Sequence, residues 1–192
     1  MGTYLSHDER MRLHAACEAA EKRTKARFEL VTVPVSDRYA SYPLLYGAAA
    51  GLTALGALAL FWPEFSLRAG FIAAAAMFAA VSLVFDWLPL RLLLVPKHIK
   101  HAHARDMAQR AFAARVLAQT DRKPGIVLFV SLGERYVEVV TDRDVDLKVP
   151  QGTWDEVIAD FTRAAKEGRV ADGLVAAVEA CIKVLATHYP AK

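Results

Sequence analysis

The sequence predicts an α/β domain interrupted, after its first strand, by a two-helix transmembrane hairpin. Three observations carry this. The run from Leu44 to Leu88 contains two long uncharged stretches, Leu44 to Trp62 and Ala69 to Phe85. One β-rich segment precedes the run, and two more follow Gly125. Segments with helical apolar spacing alternate with these strands, as in a sheet covered by helices.

The hairpin comes first because it sets the chain's environment. A helix rises about 1.5 Å per residue, so Leu44 to Trp62 spans roughly 28 Å, close to the ~30 Å hydrocarbon core. Pro63 to Arg68 makes the turn. The spans are expected at about 44–62 and 67–88, inside a membrane segment of 42–96. Residues 1–41 and 97–192 then form one discontinuous domain, because a lone strand before the hairpin needs the strands beyond Gly125. Asp86 would cost about 2.5–3.5 kcal/mol at the bilayer centre, and its place near the end of the second span assigns it to the interface. Gly47-Ala48-Ala49-Ala50-Gly51 is a GxxxG, which suits close packing within the hairpin, self-association or a membrane protein partner.

Composition bounds the rest. Apolar residues make up 55% of 192, above the soluble average of ~45–50%, and the excess lies in the hairpin. A net charge of +3 gives no nucleic-acid signature. Cys17 and Cys181 sit among alanines in helical patterns and read as reduced core residues. Ser6-His7-Asp8-Glu9-Arg10 is polar where a signal peptide needs an apolar run.

Along the chain, Ser6 and Glu9 have capping-box spacing and open a helix to about Arg23. Phe28 to Val35 reads as a strand. Pro89 to Pro96 reads as an interfacial segment. Lys97 to Gln119 is expected as a helix with Ala108, Phe112 and Val116 on its apolar face. Ile126 to Val130 is a continuous apolar run, the pattern of a central strand buried on both faces. Leu132 to Arg135 turns it, and Tyr136 to Thr141 returns. Val145 to Val149 is expected as a further short strand. Thr153-Trp154-Asp155-Glu156 offers a second capping box, opening a helix that Gly168 closes. Trp154 is expected as a core or interface anchor, and a last helix covers about Ala171 to Thr187.

Lys25, Arg27, Arg38, Arg91, Lys97, Lys100 and Arg105 flank the outer ends of the spans, while the connecting turn holds only Arg68 beside Glu64. The positive-inside rule predicts an inner-membrane protein with both termini cytoplasmic. Lys97, Lys100 and Arg105 are the candidate contacts to anionic headgroups. His98 and His101 share a helix face without a further ligand.

Candidate chemistry centres on Asp142, Asp144 and Asp146. In an extended chain their carboxylates point to one side, a donor set for a hard cation such as Mg²⁺ or Ca²⁺. The plainer reading is a solvated acidic turn. It is not an EF-hand, since Leu147 and Thr153 occupy the glycine and final glutamate positions. Cys17 and Arg23 have Cys-x5-Arg spacing, but the residues between them are helical and include two acids, so no phosphate cradle forms.

The soluble sequence resembles the TPM domain family, named for a thylakoid-lumen protein, a photosystem II repair protein and a receptor modulator. The matching features are Leu5-Ser6, Glu21 to Thr24, Ala108 with Phe112, Thr120, Arg122 and Gly125, then Ser131, Glu134 and Arg135, Asp142 with Asp144, Trp154, Gly168 and Gly173. The resemblance implies a three-layer α/β/α sandwich around a small mixed sheet. It also implies calcium binding in some relatives, acid phosphatase activity, and roles in the upkeep of membrane protein complexes. Asp142 and Asp144 carry over as metal ligands. Two function classes follow. One is a non-enzymatic membrane-anchored module that binds a membrane protein complex or lipid surface. The other is a divalent-metal-dependent phosphoesterase, with Asp142 and Asp144 on the cation and Glu134, Arg135 and Arg122 as catalytic candidates. A cytoplasmic domain meets little free calcium, which favours magnesium or no metal.

Overall fold

The computed structural model describes residues 6–62, 64, 66–121 and 123–191. The chain forms two compact units. One comprises Met1–Ser36 with His101–Lys192, and the other is Asp37–Lys100.

In the first unit, α1 (His7–Glu21) starts from the predicted capping box. The Ser6 amide donates to Glu9 Oε2 at 2.6 Å, and the Glu9 amide donates to Ser6 Oγ at 3.3 Å. These hydrogen bonds hold the Glu9 carboxyl below its ordinary pKa. The strands are β1 (Arg27–Val33), β2 (Gly125–Ser131) and β3 (Tyr136–Thr141), in sheet order β1-β2-β3. β1 pairs parallel to β2, with Arg27 opposite Gly125 and Val33 opposite Ser131. β2 pairs antiparallel to β3, with Ile126 opposite Thr141. The sheet is therefore mixed, and the all-apolar strand is the central one.

Alternation along β2 divides the core. Ile126, Leu128 and Val130 face a layer built from α1, α7 (Gln151–Lys166) and α8 (Val170–His188). Trp154, Val157 and Phe161 of α7 follow helical spacing, as do Leu174, Val178, Ile182 and Leu185 of α8, and all pack there. Val127 and Phe129 face the opposite layer, where Ala104, Ala108 and Phe112 recur every fourth residue on α5 (Lys97–Phe112). This is the expected three-layer α/β/α arrangement. Trp154 is fully buried as a core anchor. Cys181 is also fully buried, and burial pushes its thiol pKa up to about 12.

Three local expectations are corrected. The helix from Lys97 does not continue regularly to Gln119: Ala113–Leu117 is a π-helical turn, with the Ala118 amide reaching Ala113 O at 2.9 Å. That turn presses Val116 onto Gly125, where an added Cβ would lie 2.7 Å from Val116 Cγ1. The expected strand at Val145 to Val149 is absent, because Arg143–Asp146 winds into a helical turn, α6, capped by Asp142. The capping box at Thr153 is not used. α7 starts three residues earlier, after Pro150, with Thr153 inside it. The expected interfacial segment after the second apolar helix contains a short helix, α4 (Leu88–Leu94).

The second unit is dominated by α2 (Ser41–Phe61) and α3 (Leu67–Phe85). Both are long and apolar enough to cross a membrane. The glycines make their contact. A Cβ on Gly47 would stand 2.2 Å from Ser82 Oγ and 2.9 Å from Phe78 O, and one on Gly51 would stand 3.0 Å from Ala74 O. The GxxxG is thus spent on packing inside the hairpin. Ser66 caps α3, accepting from the Ala69 amide at 3.3 Å. Arg91 on α4 ties the two ends of the hairpin. Its guanidinium donates to Arg38 O and Asp86 O, each at 2.7 Å, and pairs with the Asp86 carboxylate. Asp86 lies just past the end of α3, with its carboxylate answered.

Candidate functional site

The acidic loop is built by a change of direction at the end of β3. The Asp142 amide bonds to Gly125 O at 2.9 Å, which holds it against the start of β2. Its carboxylate then accepts from the Arg143 amide at 2.6 Å, and its carbonyl accepts from the Val145 and Asp146 amides, each at 3.0 Å. An aspartate in this position starts a helical turn, and the turn breaks the period-two alternation that an extended loop would have kept. Asp146 folds back to take the hydroxyl of Thr141. Asp144 offers its carbonyl to the Tyr189 hydroxyl at 2.7 Å, and its side chain is exposed. Among the described residues, no group of three or more His, Cys, Asp or Glu side chains is placed to hold a metal ion. The three aspartates do not fit a shared Mg²⁺ or Ca²⁺ site as they stand.

Glu134 occupies the β2–β3 turn and is 5% exposed. It accepts from Ser36 Oγ at 2.5 Å and from Ser131 Oγ at 2.6 Å. Leu132 and Gly133 amides bond to Val33 O and Pro34 O at 3.0 and 2.8 Å. The turn is therefore sewn to the segment leaving β1, and Glu134 is the central stitch. A buried carboxylate needs such donors to offset its lost hydration. The sequence signalled Glu134 but not Ser36, which lies 98 positions away. Arg135 is exposed and holds the turn's left-handed position, with φ 53°. Arg122 lies outside the described residues.

Of the basic candidates, Lys97 is exposed. Lys100 donates to Leu92 O at 2.9 Å, and Arg105 lies 3.7 Å from Glu138. Glu138 also accepts from the Tyr136 hydroxyl at 2.8 Å. Burial first, then this carboxylate, pushes the Tyr136 phenol well above its ordinary pKa. The His101 ring stacks 5.2 Å from that of Tyr136.

A feature that sequence reading missed is a cleft of about 1020 Å³ at the sheet end where β1 and β2 begin and β3 finishes. Its lining includes Lys25, Arg27, Lys123 and Lys148 with the acids Glu29 and Asp144. Asp121 clamps two of the cations: Arg27 Nη2 reaches its two oxygens at 3.0 and 2.9 Å, and Lys123 Nζ lies 3.1 Å away. The hydrogen bond from Lys123, then that from Arg27, lowers the Asp121 carboxyl pKa. Arg115 answers Glu29 at 3.2 Å. Lys148 Nζ sits 4.3 Å above the Tyr189 ring. Tyr189, near the end of the chain, walls the cleft. Tyr189 O accepts from Thr24 Oγ1 at 2.7 Å and from the Lys25 amide at 3.0 Å.

Comparison with solved structures shows the same fold in the NMR structure of BA42 protein from the psychrophilic bacterium Bizionia argentinensis. It has a TM-score of 0.59 and 14% identity, covering 100% of this chain and 88% of that one. A comparison with curated proteins finds no match. The TPM domain model matches residues 89–184, half of the sequence, through the central strand, the Glu134 turn and the Asp142 cap. The chain belongs to the TPM domain family.

Proposed function

We propose that this protein is a membrane-anchored TPM domain that acts as a non-enzymatic binding module, serving a membrane protein complex or lipid surface. The observation that carries this reading is the inserted hairpin. Its two apolar helices leave Leu45, Leu60, Phe61, Phe71 and Leu83 exposed while burying small residues against each other. Such a surface is costly in water and suited to hydrocarbon. The domain comprises residues 1–41 and 97–192 around a membrane segment of 42–96. The basic residues beside the outer ends of the spans support two crossings of the inner membrane with both termini cytoplasmic. Lys97 is the residue best left free for headgroups, because Lys100 and Arg105 have partners within the protein.

The binding reading is favoured over the phosphoesterase because the acidic loop spends two of its three carboxylates on the fold and leaves only that of Asp144 exposed. Asp142 caps a turn and Asp146 binds Thr141. The test has two arms. Carbonate extraction should leave the full chain in the membrane pellet, with C-terminal reporter fusions active only in the cytoplasm. Purified protein should show no phosphoester turnover with Mg²⁺ or Ca²⁺. Turnover abolished by Asp142→Asn or Asp144→Asn replaces this reading with the phosphoesterase, and a chain released by carbonate overturns the anchor.

A further inference from the structure

We propose that the cleft at the sheet end docks an acidic segment of a partner protein, with Lys25 and Lys148 supplying the free charge. The inference rests on the binding-module reading and names the chemistry of its partner. Among the described residues, four cations line the cleft against two acids, and one of those acids, Glu29, is answered by Arg115. Arg27 and Lys123 are occupied by Asp121. Among the described residues, Lys25 and Lys148 have no carboxylate partner, and both are exposed. An excess of positive charge therefore faces an open cleft.

The donors present select the kind of anion. A tight phosphate site uses clustered backbone N–H groups or a free guanidinium fork. Here three consecutive amides of the cleft wall are spent: Lys25 on Tyr189 O at 3.0 Å, Ala26 on Thr24 Oγ1 at 3.1 Å, and Arg27 on Pro124 O at 2.8 Å. The Arg27 fork is spent on Asp121. Among the described side chains, what remains is a pair of ammonium groups beside an apolar lining of Pro124, Leu147 and the Tyr189 ring, with Leu147 76% exposed. Separated point charges around apolar contacts match carboxylates carried on a polypeptide that also presents apolar side chains.

The experiment uses the full chain in detergent micelles and fluorescence anisotropy of a labelled peptide alternating glutamate with leucine. The control peptide has lysine in place of glutamate. Binding of the acidic peptide alone is expected, falling with added salt. Lys25→Glu and Lys148→Glu should each weaken it about tenfold or more, since like charges placed across an interface repel. Lys183→Glu, exposed on α8 outside the cleft, should leave it unchanged, and Lys25→Gln should give an intermediate loss. Full affinity in the Lys25→Glu/Lys148→Glu double variant, with an unaltered far-UV spectrum, overturns the proposal. So does displacement of the peptide by inorganic phosphate at matched ionic strength, or binding to phosphatidylglycerol vesicles that the two substitutions abolish while peptide binding is absent. Carbonate extraction is read separately, so loss of the docking site and loss of the anchor are distinguishable.

Discussion

The sheet unit and the two long helices of the hairpin unit bury opposite kinds of residue. In the sheet unit, Trp154, Phe129, Ile126 and Leu174 are at or near zero exposure. In the hairpin unit the buried helical positions include Pro43, Gly47, Gly51 and Gly70, while Leu45, Leu60, Phe71 and Leu83 face outward. The first pattern follows from water, which rewards removal of large apolar area. The second follows from backbone approach, which depends on side chains too small to obstruct it. One polypeptide thus carries two packing rules, and a substitution of one kind should act very differently in the two units.

The comparison breaks most sharply at Trp154. Trp154→Ala should cost about 3–5 kcal/mol in the sheet unit, read as an earlier urea midpoint followed by the near-ultraviolet signal. The hairpin rule is tested by Gly47→Leu, which drives a side chain into Ser82 and the Phe78 backbone. Overpacking of this kind costs about 1–3 kcal/mol, and the loss should appear as weakened protection of α2 and α3 in hydrogen exchange. The urea midpoint of the sheet unit should not move. Asp142→Ala removes the cap from α6 and should cost about 1 kcal/mol, measured in the same urea titration. The smallest effect is chemical. With its thiol raised to about 12 by burial, Cys181 should resist alkylation at mildly alkaline pH and react only after denaturant is added. Rapid labelling of native protein at Cys181 would show that the α8 layer opens.

Those predictions rest on elements of unequal legibility. The capping box at Ser6, the spacing of Leu174, Val178, Ile182 and Leu185, and the unbroken apolar run of β2 were readable because each is a local pattern. The acidic loop misled, since Asp-Val-Asp alternates like a strand while Asp142 supplies the hydrogen bond that starts a turn. The packing of Val116 in the π-helical turn could not be read locally, because it lies against Gly125 of another element, where a side chain would not fit. The cleft was hidden for a similar reason. Lys25, Arg27, Lys123 and Lys148 become neighbours only once Arg27 pairs with Gly125. Ser36 and Glu134 likewise meet only through strand pairing.

The parallel partnership of β1 with β2 also imposes a calendar on the chain's synthesis. Val33 leaves the ribosome about 90 residues before Gly125 arrives, a delay of roughly 5–18 s at ordinary elongation rates. During that interval both apolar helices are made, and β1 has no strand to join. A hairpin received as it is made would be received while the sheet still lacks β2 and β3, so its delivery would precede completion of the sheet.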